Sequence, residues 1–151
     1  MNVQQSIEKL NFYANALNLQ AYQHQVQGKI FASQGFSKLG TKYAEHATEE
    51  SGWVEKFLDR ILDLGGEPTI DAVQGIKVFN NIEEYLKYDQ SISVEGIEVL
   101  RKDVLALAED VTTYDILKDY LKDEEEDMYW TDQQLELIKC IGLQNWLVQQ
   151  L

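Results

Sequence analysis

Three acidic residues of this chain fall at positions where helical periodicity favours apolar side chains. Glu50 interrupts the apolar stripe of KYAEHATEESGWVEKFLDRILDLGGEP, residues 42–68, while Glu124 and Asp127 are three positions apart and share one helical face. Removing a carboxylate from water is costly, and neighbouring like charges add to that cost. Three such groups in one core therefore need raised pKa values, cationic partners or a bound metal ion.

His24 is a candidate fourth ligand, because it follows Leu17 by two helical turns and should face the same interior. One histidine and three carboxylates form a credible ligand set for iron, manganese or zinc. Two other interpretations stay open. The run DEEED at 123–127 could be a solvated acidic face, and His24 could be a hydrogen-bonded core residue.

Helices must position these residues, because the chain has a single proline, Pro68, and long stretches without a helix breaker. Apolar periodicity predicts a second helix that follows Ser37 and ends at Leu64, and a short fifth helix after Gly142. The other three helices are predicted over about 3–34, 81–108 and 111–138.

The irregular link at about 67–80 is long enough to travel the full height of a helical bundle. Two helical hairpins joined by such a crossover predict an all-α fold of one domain, residues 1–151. The predicted architecture is a ferritin-like four-helix bundle with a long crossover between helices 2 and 3 and a short fifth C-terminal helix.

The composition narrows the classes of partner. The chain carries 26 acidic against 13 basic residues, a net charge of -13, which attracts cations and repels phosphate backbones and anionic lipid. No basic run suggests nucleic-acid binding, and no stretch of about 18 apolar residues suggests a membrane span. The beginning, MNVQQSIEKL, lacks the features of a secretion signal, and a lone cysteine suits a reducing compartment, so we expect a cytoplasmic protein.

Two stretches resemble bacterioferritin. DEEEDMYWTDQQLELIKCIGLQNWLVQQL is similar to the end of that family's chain, and ATEESGWVEKFLDRILDLGGEP is similar to its second helix and the exit from it. The resemblance covers essentially the whole chain. It implies self-assembly into a hollow 24-subunit cage that stores ferric mineral. It also implies a di-iron centre in each subunit, held by four glutamates and two histidines, that oxidises ferrous iron.

The ligand positions implied by the resemblance are mostly substituted here. Glu50 and Glu124 keep their positions, and Asp127 stands where the fourth helix of the family has histidine. The positions that lose their ligand are Leu17, Trp53 and Ser93. We expect no working di-iron centre, because Trp53 is large enough to fill the space of one iron. His24 aligns with the family's tyrosine beside the centre, so a single-metal site of Glu50, Glu124, Asp127 and His24 is the most that we expect.

The resemblance carries three further expectations. Ser51 stands where the family has its axial methionine, so we expect no haem. Glu45 and Glu49 match positions that collect iron on the cavity surface, where they could nucleate mineral or form a solvated acidic face, and neighbouring His46 is expected at the surface. Asn145 and Gln149 fall on the short last helix, which surrounds the fourfold channel of the family's cage.

The leading functional hypothesis is therefore an iron-storage subunit with a degenerate oxidation centre, in a cage of its own or in a mixed cage with a catalytically active bacterioferritin subunit. Its small-ion partners would be ferrous and ferric iron. The alternative is a protein that binds a single metal ion and keeps residual ferroxidase or another redox activity. A third hypothesis is a purely structural bundle whose inward acids are protonated or bridged by water.

Overall fold

The computed structural model describes residues 1–151 as five helices without strands, which confirms the predicted all-α, ferritin-like bundle. Short links join α1 to α2 and α3 to α4, so each pair forms an antiparallel hairpin. The fourth helix runs three residues further than predicted, to the point where Gly142 adopts a positive φ of 85° and ends it. The helices are α1 (Val3–Ser33), α2 (Ser37–Asp63), α3 (Ile82–Ala106), α4 (Val111–Ile141) and α5 (Leu143–Val148).

Side-chain caps define where three of the long helices begin. Asn2 accepts a hydrogen bond from the backbone N–H of Gln5 at the start of α1, and Asn81 accepts one from Glu84 at the start of α3. Asp110 caps α4 in the same way. Each cap satisfies a backbone donor that has no partner within its helix, which fixes the starting residue.

The α1–α2 hairpin packs closely where two glycines face each other. A Cβ atom on Gly28 would lie 2.9 Å from the carbonyl oxygen of Gly40, and a Cβ on Gly40 would lie equally close, 2.9 Å, to Cβ of Ala32. The missing side chains therefore let the two backbones approach each other. This contact sets the spacing from which Tyr43, His46 and Glu50 of α2 project into the bundle.

The crossover, residues 64–81, runs along α1 and is held by the polar side chains of that helix. Asn11 donates to the carbonyl oxygen of Glu67 at 3.0 Å, near the start of the crossover. Near its end, Gln27 both donates to the carbonyl oxygen of Phe79 at 2.9 Å and accepts from its backbone N–H at 2.7 Å. The crossover thus advances in the direction of α1 and brings α3 back to the other end of the bundle, as predicted.

Two apolar clusters fill the bundle, one toward each end. The first includes Leu10, Leu17, Phe57, Leu100 and Leu117, and the second is built around Phe31, Leu39, Tyr43, Tyr85, Leu86 and Trp146. Buried polar residues, among them His24, His46, Glu50 and Glu124, occupy the sequence positions between the two clusters. This polar layer is the candidate site.

The fifth helix is anchored to the bundle by Trp146. Its ring belongs to the second cluster, its Nε1 donates to Oε1 of Gln134 at 3.0 Å, and the carbonyl oxygen of nearby Gln150 accepts from the backbone N–H of Lys38 at 3.1 Å. Asn145 and Gln149 are exposed. None of the five helices combines the length and apolar character that a membrane crossing requires.

Candidate metal centre

His24 lies between two carboxylates at the centre of the polar layer. Its Nδ1 is hydrogen-bonded to Oε1 of Glu50, and its Nε2 lies 3.3 Å from Oδ1 of Asp89. The second oxygen of Glu50 accepts a hydrogen bond of 2.7 Å from Nε2 of Gln20. Both oxygens of Glu50, which is only 1 % exposed, are therefore engaged by protein groups.

The pairing keeps one proton between His24 and Glu50. Burial alone would lower the pKa of His24, but the charges of Glu50 and Asp89 and the hydrogen bonds to them raise it well above its usual value. Burial raises the pKa of Glu50, and the neighbouring His24 offsets part of that rise. Because both shifts favour the protonated forms, the bridging proton stays in place at neutral pH and compensates the buried carboxylate.

Glu124 is buried on α4, and its Oε1 has no hydrogen-bond partner. Burial raises its pKa well above the usual value, and the charges of Glu50 and Asp127 raise it further. The same carboxylate raises the pKa of the adjacent Tyr120, whose burial is the larger cause. Burial and the neighbouring charges both favour the protonated form of Glu124.

A separate group of carboxylates lies between α2 and α4. One oxygen from each of Glu49, Asp123 and Asp127 lies within 4.8 Å of the others, a spacing that a single cation could bridge. Trp53 orients this group, because its Nε1 donates a 3.0 Å hydrogen bond to Oδ2 of Asp123. Glu49 is exposed and the two aspartates are half-buried, so the group is open to ions from solvent.

His46 lies next to this carboxylate group. Its Nε2 is 3.7 Å from Oδ1 of Asp127, beyond hydrogen-bond distance, and has no other partner although the residue is 3 % exposed. The expectation of a surface histidine was wrong, because His46 precedes Glu50 by one helical turn and shares its inward face. Burial lowers the pKa of His46 to about 4, with further lowering by the positive charges of His24 and Lys42. The imidazole is thus neutral at pH 7, which is the form that binds metal ions.

Asp127 titrates near neutrality. Burial raises its pKa to about 7, and the negative charges of Asp123, Glu50 and Glu49 add to the shift. Burial and Asp123 also raise the pKa of Glu49. Raised pKa values in a group of acids mean that the group lacks positive charge, which a divalent cation would supply while displacing the proton.

The four residues predicted to share one metal ion, Glu50, Glu124, Asp127 and His24, do not all lie in one group. Glu50 and His24 form a pair, and Asp127 joins Glu49 and Asp123. Glu45 is exposed and stands outside that carboxylate group, and Ser51 is exposed in a groove between α1 and α2.

Three residues of the site were missed: Asp89, Asp123 and His46. Helical spacing carried a signal for two of them, because Asp89 precedes Ser93 by four positions and His46 precedes Glu50 by four. Asp123 had no such signal, since it is one of five consecutive acidic residues and its role depends on a hydrogen bond from another helix.

Comparison with known proteins finds relatives among the ferritins. Residues 7–141 match the family of ferritin-like domains. The chain is 32% identical over 132 residues to the bacterial ferritin of Neisseria meningitidis and 35% identical over 136 residues to that of Pseudomonas aeruginosa, with 85% of each chain covered in both cases. It is 28% identical over 138 residues to the bacterioferritin of Streptomyces coelicolor, covering 90% of this chain and 83% of that protein.

Proposed function

The chain belongs to the family of ferritin-like domains, and from that premise we propose that it is an iron-storage subunit of bacterioferritin type whose own di-iron oxidation centre is degenerate. In this proposal the subunit contributes shell, acidic surface and an iron-capture site. The similarity to proteins named bacterial ferritin and bacterioferritin over most of the chain supports iron as the cargo.

The state of the retained glutamates supports the loss of the di-iron centre. A bridging carboxylate needs oxygens free for two metal ions, whereas those of Glu50 are hydrogen-bonded to His24 and Gln20. The positions that the resemblance assigns to two further ligands hold Leu17, which belongs to the apolar core, and Ser93. Trp53, at a third, packs its ring against Tyr120 with 5.8 Å between ring centroids.

The observation that carries the proposed capture site is the convergence of Glu49, Asp123 and Asp127 within 4.8 Å, with the unpartnered Nε2 of His46 beside Asp127. Carboxylate oxygens and a neutral imidazole are ligands that suit ferrous iron. Iron is the cargo here: a ferrous ion would bind at this site, displace the proton of Asp127 and be passed to growing mineral. The net charge of -13 would concentrate cations around the subunit.

The proposed assembly is a 24-subunit cage in the cytoplasm, with Asn145 and Gln149 near the fourfold channel. Asn145 lies on α5 and Gln149 directly follows it, and the exposure of both is consistent with lining a polar pore. A mixed cage would combine this subunit with a catalytically active bacterioferritin subunit that oxidises the iron. Haem is not part of the proposal, because the exposed Ser51 is not a useful axial ligand.

The test is to purify the chain alone and follow ferrous oxidation in air. We expect slow oxidation without a fast phase that saturates at two ferrous ions per subunit. Assembly together with a bacterioferritin subunit that has all six ligands should restore the fast phase in proportion to that subunit. A fast, saturable two-iron phase in the chain alone would refute the degenerate centre.

A second candidate function, residual oxidation at a single metal ion, is favoured by the same carboxylate group. Under it, Asp123→Asn should remove both the bound metal ion and the slow oxidation. The matched control is Glu126→Gln, which removes one charge from the same acidic run at an exposed position. If the slow oxidation survives in Asp123→Asn, this candidate fails.

The purely structural hypothesis makes a different prediction. If the inward acids only fill the core, Glu50→Gln and Glu124→Gln should leave the stability unchanged or increase it, and the native protein should bind no metal ion tightly. Elemental analysis of the native assembly, together with its subunit composition, distinguishes this hypothesis from the other two.

A further inference from the structure

A cavity of about 350 Å³ opens between α1 and α3, on the side of the bundle formed by those two helices. Nine of its fourteen lining residues are hydrophobic. The apolar side chains of Phe12, Ile92 and Val99 are 56%, 42% and 52% exposed and belong to that lining. Exposed apolar side chains gathered around a cavity are typical of a binding site.

The cavity has a polar end formed by a buried acid. Glu124, which is 9 % exposed, is part of the lining, and its Oε1 has no hydrogen-bond partner. Gln20, Ser93 and Tyr120 also contribute to the walls. That oxygen is itself closed to solvent, so a ligand reaches it by turning the carboxyl group toward the cavity, and the hydrogen bond then relieves the cost of the missing partner.

The chemistry of the lining points to an uncharged ligand. It contains no lysine, arginine or histidine that could pair with an anion. The lining holds two acids, but Glu95 is exposed to water and only Glu124 is buried, so the apolar wall does not compensate the desolvation of a cation beyond what that one buried carboxyl group supplies. A hydroxyl group can either donate to or accept from a carboxyl group, so it satisfies Glu124 without requiring a particular charge.

We propose that this cavity binds a small neutral alcohol or phenol, with its hydrocarbon body between α1 and α3 and its hydroxyl group hydrogen-bonded to Glu124. The cavity shares no residue with the Glu49–Asp123–Asp127 group and takes a different class of ligand. It therefore does not depend on the proposed capture of iron.

The test compares three probes of similar shape by titration calorimetry on the intact assembly. p-Cresol carries the hydroxyl group, p-xylene replaces it with a methyl group, and benzylammonium replaces it with a cation. We expect p-cresol to bind at least about tenfold more tightly than either of the others, a ratio that corresponds to one hydrogen bond of about 1.4 kcal/mol. Equal or tighter binding of p-xylene or benzylammonium would overturn the assigned head group.

Two variants locate the binding. Gly96 lines the cavity, and a Cβ atom there would meet nothing within 4 Å, so Gly96→Leu should fill the cavity without disturbing the fold and abolish p-cresol binding. The matched control is Gly52→Leu, at another helical glycine with open space, which should bind normally. Glu124→Leu should reduce the preference for p-cresol over p-xylene to about one. Unchanged binding in Gly96→Leu would refute the site.

Discussion

The imidazole of His24 and the carboxylate of Glu50 form a hydrogen-bonded pair in the middle of the bundle, and Gln20 and Asp89 hold the outer sides of that pair. In a di-iron protein of this family type, the position of Glu50 would serve as a metal ligand. In the proposed degenerate centre, the imidazolium of His24 takes the place that a metal ion would need. Three other carboxylates, those of Glu49, Asp123 and Asp127, meet between α2 and α4, where solvent reaches them.

The first prediction concerns the strength of this pair. His24→Leu should destabilise the fold by about 3–5 kcal/mol, because it leaves the buried charge of Glu50 without its partner. His24→Leu combined with Glu50→Gln should recover most of that loss, since the charge has gone as well. The measurement is urea unfolding of His24→Leu, Glu50→Gln and the double variant at one chain concentration. Additive effects of the two changes would show that the pair is not coupled.

The second prediction concerns stability above pH 6.5. The folded chain retains protons on His24 and Glu124, whose pKa values are raised, and partly on Asp127, whose pKa is about 7. The unfolded chain releases these protons at its ordinary, lower pKa values. The free energy of unfolding should therefore fall as the pH rises from 6.5 to 8, by about 1.4 kcal/mol per pH unit for each extra proton on the folded chain.

Below pH 6.5 the stability should still fall as the pH rises, but less steeply, because Glu124 and Asp127 keep their extra protons there whereas His24 is protonated in both states. Because the pKa of His46 is lowered to about 4, the unfolded chain binds a proton there between pH 6.5 and 4 that the folded chain does not. This contribution has the opposite sign to that of Asp127. Urea unfolding with a chelator present, at pH 5 to 8, measures the slope in both pH ranges. Glu124→Gln should reduce the slope of the free energy of unfolding above pH 6.5, and Glu126→Gln should not. A stability that increases above pH 6.5 would contradict the assignment.

The third prediction concerns Trp53 as a positioning residue. Trp53→Phe removes the hydrogen bond to Asp123 while keeping an aromatic ring in the core, so ferrous affinity should fall by about tenfold or more with little loss of stability. Trp146→Phe is the control, because it removes an indole hydrogen bond, to Gln134, that lies away from the carboxylate group. Anaerobic calorimetric titration with ferrous iron measures both variants. Equal ferrous affinities in the two variants would show that Trp53 does not position the carboxylate group.

The fourth prediction concerns the α1–α2 contact. Gly40→Ala places a Cβ atom 2.9 Å from the carbonyl oxygen of Gly28, so overpacking should cost about 1–3 kcal/mol. Gly52→Ala lies in open space on the same helix and should stabilise the fold by up to about 1 kcal/mol, because alanine favours the helix. Thermal unfolding of the two variants should shift in opposite directions. Shifts of the same sign would contradict the proposed close contact.

The helices and the crossover could be predicted because their signals are local. Gly65, Gly66 and Pro68 end α2, and the link that follows lacks the periodicity of a helix. The inward direction of His24 and Glu50 followed from the 3.6-residue period in the same way. Side-chain partners across the bundle could not be predicted so well, because a helical period identifies a face and not the neighbour that the face meets.

Asp127 and Glu49 show where the period fails. Asp127 was grouped with Glu124 because the two share a helical face, yet it lies at the edge of that face and meets Glu49 from α2. Glu49 was predicted on the cavity surface, away from the core stripe; it is exposed, and its carboxylate also reaches the group that includes Asp127. The contacts of residues at such edges depend on where the neighbouring helix lies, and the periodicity of one helix does not predict that position.

The proposed iron-capture site is tested most directly by anomalous diffraction from crystals soaked anaerobically in ferrous iron. We predict one iron peak per chain, bounded by Glu49, Asp123 and Asp127 with His46 beside it, that disappears in Asp123→Asn and persists in Glu50→Gln. Two peaks bridged by Glu50 and Glu124 within the bundle would contradict the account.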